Sequence, residues 1–392
     1  MTLPVLTVEV AWENDPFTAT PTWTDVTAYV QSVSINRGKA SLLDRMSAGT
    51  CSVRLLNNDG RFDPNNTLSP YAPYVLPMRQ IRVRATHSAV TYGLFRGFLE
   101  SVPVTYPSNG LHSLVNVSAA DGFKVLNLRQ VTTSPAQELS SVRVTNLLTA
   151  AGWPSGLRSV DTGQTTVQAD TIVDGNPLDK ILTIADSELG LFYMDRDGNA
   201  RFMSRHGLIG GLLDTANYTF GTSGKPFRDP VLSFDDKDLW NEVNVSSSGV
   251  ATQTASDSAS QTTYGRRTLD KTGLMLISTT EQANHATFVL TGTKAPALRV
   301  DSMSPQGEAS GGSWARILDR DVGSKIVVAI NPPGSGDTIS QGSYIEGISM
   351  NITPQDWRGI RWSLVPLDRR ADFWILGDSI QGVLGDTTRL AY

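Results

Sequence analysis

Over the first 130 residues apolar and polar side chains alternate one for one, in short runs that turn residues cut off. Thr7-Val8-Glu9-Val10-Ala11-Trp12 alternates and stops at Glu13-Asn14-Asp15-Pro16. Cys51, Val53 and Leu55 share one face of a later run, with Ser52 and Arg54 on the other. Ile81, Val83 and Ala85 alternate with Gln80, Arg82 and Arg84, and Val115, Val117 and Ala119 repeat the pattern before Asp121-Gly122. A period of two is the signature of a half-buried strand, because successive side chains point to opposite faces of a sheet. Asn57-Asn58-Asp59-Gly60 marks a tight turn, since these residues accept positive φ. Strands at short, regular spacing predict an antiparallel barrel or sandwich over residues 1–135.

Between 136 and 214 the period lengthens. Ser140 or Ser141 is placed to cap a helix that carries Val144, Leu147, Leu148 and Ala151, with Gly152 and Pro154 ending it. Asn176-Pro177 is an N-cap followed by a proline in the first helical turn. Leu178, Ile181, Leu182, Ala185 and Leu189 form the stripe behind it, and Gly190 ends it. A hairpin follows, with strands at 191–194 and 200–203 around Asp195-Arg196-Asp197-Gly198. Strands return over 215–368, where Trp240-Asn241-Glu242-Val243-Asn244-Val245 alternates and Glu281–Leu290 suits a helix. The stretch 246–263 is poor in apolar residues and reads as a mobile loop or a strand edge. Residues 369–392 carry an isolated apolar cluster, Phe373-Trp374-Ile375-Leu376, which reads as a docking tail. The expectation is therefore a mainly β chain with a smaller α+β part, in which two barrel-like β domains flank an α+β domain.

Composition narrows the function classes. The 392 residues carry 33 basic and 38 acidic side chains, a net charge of −5, which is unlike a protein that coats nucleic acid by neutralising phosphates. One cysteine, Cys51, excludes an internal disulfide framework and a multi-cysteine zinc site. No apolar run reaches the ~18 residues of a membrane span, and the N-terminus lacks a basic region followed by an apolar one. These features predict a soluble protein made in a reducing compartment, with no stable membrane insertion.

Catalytic signatures are missing or broken. H-E-x-x-H and G-x-S-x-G do not occur. Gly221-Thr222-Ser223-Gly224-Lys225 lacks the first glycine of a phosphate loop, and Pro226 stands where its magnesium-binding hydroxyl would be. Asp195-Arg196-Asp197-Gly198 has its glycine two places too early for an EF-hand, so a hairpin turn is the better reading. Cys51 lies on an apolar strand face and reads as a buried thiol. His87 and His112 read as surface side chains that could meet across strands. The expectation is no catalytic residue, cofactor or metal.

Two features stand out as interface or channel-lining candidates. Arg79, Arg82 and Arg84 flank an apolar alternation, with Arg82 and Arg84 on one face of a strand: either a solvated sheet face or a stripe for an acidic partner, a subunit or passing DNA. Phe373, Trp374, Ile375 and Leu376 either pack on their own chain or dock on a neighbour.

The order of several segments carries a family likeness. Trp23–Val30, Ile35, Arg37-Gly38 and Ala48-Gly49-Thr50 lead into Leu55–Pro64, Ser69–Pro73, Leu94–Phe98 and Ala120–Lys124. Leu189–Gly198, Trp240–Val243 and Phe373–Ser379 follow. Together they resemble siphophage minor tail proteins of the tail-tip or baseplate hub family, of the kind found in phages of actinobacteria. The resemblance implies a homotrimeric ring at the distal end of the tail tube, whose two barrel-like domains per subunit match a sixfold tube to a threefold tip. It implies contacts with a distal tail protein or tube ring, the tape-measure protein and other tail-tip or fibre proteins, and transient passage of phage DNA. It implies assembly in the host cytoplasm and residence in the virion. Some hubs continue into a C-terminal hydrolase, for which the residues after 368 leave no room. Other readings are a hexameric distal tail protein, a cell-wall hydrolase, and a carbohydrate-binding module with Trp153 or Trp357 as sugar platforms.

Overall fold

The structure is a computed structural model. It describes residues 3–18, 20–39, 43–106, 113–210, 215–221, 224–308, 313–334 and 336–367. The first stretch folds as β1 (Val5–Ala11), β2 (Thr24–Asp25), β3 (Val30–Gly38), β4 (Ser47–Leu56), β5 (Gln80–His87), β6 (Val90–Ser101), β7 (Val104–Thr105) and β8 (Leu114–Ala120). The alternation in the sequence is the alternation of burial. In β4, Cys51, Val53 and Leu55 are buried, while Thr50, Ser52 and Arg54 are exposed. After β4 the Asn57 side chain accepts from the Phe62 N–H at 2.9 Å, and Gly60 takes φ +68°. That turn drops Phe62 into an aromatic cluster, 5.5 Å from Tyr29 and 5.7 Å from Tyr71, with Trp12 stacked on Tyr71 at 5.2 Å.

The middle stretch holds α1 (Gly122–Asn127), β9 (Val131–Thr133), β10 (Glu138–Leu139), α2 (Ser140–Ala150), β11 (Arg158–Val160), β12 (Thr166–Val167), β13 (Ile172–Gly175), α3 (Pro177–Glu188), β14 (Leu191–Met194), β15 (Ala200–Met203) and α4 (Arg205–Ile209). Asn176 caps α3 by accepting from Leu178 N (2.9 Å) and Asp179 N (3.3 Å), as its position before Pro177 predicts. The capping of α2 differs from expectation. Its N-cap is Leu139, with no side-chain cap. The Ser140 hydroxyl instead donates to Glu188 at 2.8 Å, and that buried carboxylate also accepts from the Gln164 and Thr165 N–H groups. A buried carboxylate needs several donors, and the serine is one of them.

The last stretch contains α5 (Thr215–Tyr218), β16 (Thr219–Gly221), β17 (Phe227–Ser233), β18 (Glu242–Ser247), β19 (Val250–Ser256), α6 (Ser258–Tyr264), β20 (Thr268–Leu274), α7 (Thr279–Thr293), β21 (Arg299–Pro305), α8 (Ser313–Leu318), β22 (Lys325–Ile330), β23 (Ile339–Thr353) and β24 (Asp356–Pro366). Residues 246–263, read as a loop or an edge, form β19 and α6. β19 is an edge strand of the sheet β19-β18-β20, with most of its side chains exposed, which is why its composition is so polar. Asp257 caps α6 by accepting from Ser260 N at 2.9 Å. With α7 this unit has its own small core of Val243, Val245, Leu274, Leu276, Ala286 and Leu290.

One large sheet links the first stretch to the last. Its order is β17-β21-β24-β23-β3-β4-β8-β6-β5-β1-β2, with β7 on β8, β22 on β23 and β16 on β22. The join is antiparallel pairing of β23 with β3, from Gly347 opposite Gly38 to Ile352 opposite Val33. Gly38 sits there at φ +88°, and a Cβ on it would lie 2.1 Å from the Glu346 carbonyl oxygen, so no other residue fits the crossing. The main core is continuous across all three stretches, from Val8 and Val53 through Leu147 and Phe192 to Ile326 and Trp362. Among the described residues no helix is long and apolar enough to cross a membrane.

Candidate functional site

The arginine stripe is built on β1 and β5. In their antiparallel register Glu9 stands opposite Arg82. Both oxygens of Glu9 accept from Arg82, at 2.7 and 3.0 Å, and Arg84 reaches the same carboxylate at 2.6 Å. Glu9 is 8% exposed, so two cations share one buried acid. The Arg82 guanidinium also lies 4.2 Å from the Trp23 ring centre, and Arg96 of β6, opposite Arg82, lies 5.5 Å from the same ring. Burial and the nearby Arg82 charge hold Arg96 below the usual arginine range. Arg96 is fixed by Gln80 Oε1 at 2.7 and 3.1 Å. The face therefore sets three arginines round one tryptophan beside Glu9, Asp25 opposite it on β2 and Asp197 against Gly93, and its half-buried guanidiniums can accept a phosphate or carboxylate group. Arg79 stands apart from it: its Nη1 donates to the Asn14 carbonyl at 2.6 Å, anchoring the loop after β1. The structure joins Arg82 with Arg84 and gives Arg79 a local structural task.

Glu9 is the member that sequence reasoning missed. It occupies a polar position of an alternating strand, and only the β1–β5 register shows that it faces Arg82. Phe373, Trp374, Ile375 and Leu376 lie outside the described residues, as does His112.

A second charged assembly sits where the three stretches meet. Arg37, at the end of β3, pairs with Asp321 at 2.8 Å and donates to the Met194 carbonyl of β14 at 3.0 Å. Burial works against its charge, but Asp321 more than offsets this and holds Arg37 above the usual range. Asp321 also accepts from the N–H of Arg196, in the 195–198 hairpin, at 3.1 Å. Tyr193 donates to the Val322 carbonyl at 2.9 Å. Close by, Asp121 caps α1 through Phe123 N at 2.9 Å and accepts from Gly49 N at 2.6 Å. Burial pushes Asp121 up to about 7, against these two donors and the Arg37 charge. These groups pair with one another across β3, β14 and the segment before β22, so the assembly locks strands together.

The remaining candidates resolve locally. Cys51 is buried, and burial pushes its thiol up, away from reactivity. Asp195 accepts from Asp197 N and Asn199 N within the hairpin turn, at 3.0 and 2.8 Å. Among the described residues no group of three or more His, Cys, Asp or Glu side chains is placed to hold a metal. Trp153 and Trp357, considered as exposed sugar platforms, are both buried. Trp153 donates to the Leu157 carbonyl and packs near Phe17 and Phe98, and Trp357 meets Trp314 edge-on at 6.0 Å. Their place in the core overturns that role.

No family model and no curated protein matches the chain. Solved structures do. The 43 kDa tail protein of prophage MuSo2 from Shewanella oneidensis superposes with a TM-score of 0.57 at 12% identity, over 93% of this chain and 99% of that one. A tail protein from Neisseria meningitidis MC58 gives 0.58 at 11% identity, over 93% and 96%. A chain of the PdpA–VgrG complex gives 0.52 at 10% identity, over 93% and 65%. At these identities the likeness is one of fold: from near one end to the other, this chain has the mainly β fold of phage tail proteins.

Proposed function

We propose that the chain is a structural component of a phage tail, and specifically the hub at the distal tip of a siphophage tail. In this reading three copies form a ring that closes the tube, matches a sixfold tube to a threefold tip and lets DNA out on infection. Its partners are further copies of itself, a distal tail protein or tube ring, the tape-measure protein and other tail-tip or fibre proteins. The observation that carries the reading is the end-to-end match to a tail protein, 93% of this chain on 99% of the other, which leaves little of either chain for a separate module. The physical character of the chain supports it. Its charged groups pair with one another, as Arg37 does with Asp321 and Glu9 with two arginines, in the manner of a rigid scaffold. We infer no enzymatic activity.

The test is the symmetry and position of the chain in reconstructed tails, together with the mass of the purified protein by light scattering. A threefold ring at the distal end and a particle of about 127 kDa, three times the 42.3 kDa chain, are expected. Sixfold copy number or a peripheral position refutes the hub reading, and a lytic band on host peptidoglycan refutes the non-enzymatic one.

A further inference from the structure

The three-stranded sheet β19-β18-β20 is open on both sides, and its outer strands are seven residues each. The ends of the large sheet are guarded: β17 carries Pro230 and two register shifts, and β2 is two residues long. β19, Val-Ala-Thr-Gln-Thr-Ala-Ser, has no proline, glycine or charge. An exposed strand edge without such devices is a template for another strand.

The ladder fixes which backbone groups face outward. The Asp257 N–H donates to the Asn241 carbonyl, and the Glu242 N–H to the Arg267 carbonyl, each at 3.1 Å. With Val243 opposite Ala255, Glu242 opposite Thr268 and Asn244 opposite Asp270, Val243 bonds to β19 while Glu242 and Asn244 bond to β20. The alternation turns the N–H and C=O of Thr254 and Ser256 out from one edge and those of Thr268 and Asp270 out from the other, with no partner among the described residues. The Gln253 amide bends back onto the Ala251 and Thr252 carbonyls, at 3.0 and 3.1 Å, and covers part of its own edge. Asp270 is held on the face of the sheet: it accepts from Asn244, which accepts from the Thr254 hydroxyl, both at 2.7 Å. Its charge is therefore not set against an incoming strand. Space is free at the strand ends, where a Cβ on Gly249, Gly265 or Gly273 would meet nothing within 4 Å.

The sheet itself supplies the matching strand. β19 is antiparallel to β18 and β20 is parallel to it, so β19 and β20 run in opposite senses. Rotation about an axis along the strands preserves this, and sets β20 of one copy antiparallel to β19 of the next. The two edges lie on opposite sides of one sheet, so the contact is head-to-tail and repeats from copy to copy. Three copies bring nine strands, about 40° apart round a threefold axis, close to the spacing in eight-stranded barrels. α7 packs on the Val243 and Val245 face and stays outside, so the Thr254–Asn244–Asp270 row faces the axis.

We propose that β20 of one copy pairs antiparallel with β19 of the next, so that the small sheets of neighbouring copies run on into one another. The number of copies, three, rests on the tail-hub reading; the pairing of the two edges stands apart from it.

The test uses the full chain with Thr268→Cys combined, in three double variants, with Thr252→Cys, Thr254→Cys or Ser256→Cys. Within one chain these positions are two strands apart, roughly 10 Å, too far for a disulfide. Mild oxidation of at least one double variant should give chains linked from position 268 to the 252–256 segment, read by denaturing gel and peptide mapping, with three chains as the largest product. The single variants should not link. A series running past three copies keeps the pairing and refutes the threefold ring. No link in any double variant refutes the pairing; light scattering then tells whether the ring survives, as a particle of three chains, or falls with it, as a single chain. Dimers from Thr254→Cys alone overturn the proposal by joining β19 to β19.

Discussion

Arg37→Met tests whether the junction between the first and last stretches is held by charge. The guanidinium is 5% exposed and its partner Asp321 16%. Removing one member of a buried ion pair costs about 3–5 kcal/mol, because the other charge is left desolvated. Here the low end applies. Asp321 keeps the N–H donors of Arg196 and Val322, at 3.1 and 2.8 Å, so its charge is not wholly stranded. The variant also frees the Met194 carbonyl. A local loss of about 3 kcal/mol corresponds to roughly 100-fold faster opening at equilibrium. Hydrogen exchange read by mass spectrometry should show that acceleration in peptides covering 30–38, 191–196 and 319–324. The double variant with Asp321→Asn should lose about 2 kcal/mol less than the two single losses together, since both remove one interaction. Arg358→Met, which breaks an exposed pair with Asp356, is the control and should leave exchange nearly unchanged. Acceleration under threefold at the junction, or equal effects from Arg37→Met and the control, would refute the reasoning.

Three further outcomes are expected. Burial holds His285 down to about 4, below the ordinary 6.5, so its contribution to stability is full above pH 6.5 and is lost as pH falls toward 4. Asp121, raised from 3.8 to about 7, works the other way, and its folded form gains on acidification through the same window. Each amounts to about 2 kcal/mol between pH 7 and pH 5, so the wild-type urea midpoint should barely move over that range. The midpoint of His285→Gln should then rise on acidification and that of Asp121→Asn should fall; the same slope in both variants would contradict the assignment. Glu188→Gln should cost about 2–3 kcal/mol in urea denaturation, because an amide NH2 replaces an oxygen that faces the donors of Ser140, Gln164 and Thr165. Glu9→Gln should strengthen retention on heparin at low salt, since it unpairs Arg82 and Arg84 together; unchanged retention would show that the stripe is not accessible to a polyanion.

Local features of this fold are legible in the sequence wherever one period or one short motif decides the matter. The alternation of β4 and β5, the Asn176-Pro177 start of α3 and the 195–198 hairpin all appear where their residues place them. What depends on distant partners is not legible. Ser140 looks like a helix cap until Glu188, 48 residues on, claims its hydroxyl. The arginine stripe is visible, but its counter-charge Glu9 lies 73 residues away and depends on register. Arg37 gives no sign of its task, because its partners sit on β14 and beside β22. The polar run 246–263 is legible in part: β19 is the strand edge it suggests, since an edge strand with little core to cover has no need of apolar residues, whereas the helix α6 that follows gives no apolar stripe to read.

The pairing of β23 with β3 has a consequence in time. A ribosome finishes β3 about 300 residues before it has made β23. At roughly 5–20 residues per second that interval is on the order of 15–60 s. Throughout it, one edge of β3 stands open while its other edge can already be closed by β4. An open edge is a template for any strand that arrives first, including one from a second nascent chain on the same message. The fold thus stays vulnerable to strand exchange between copies until β23 has been made. Slowing synthesis between residues 38 and 339 should raise the yield of interlocked aggregates, whereas slowing it after residue 367 should not.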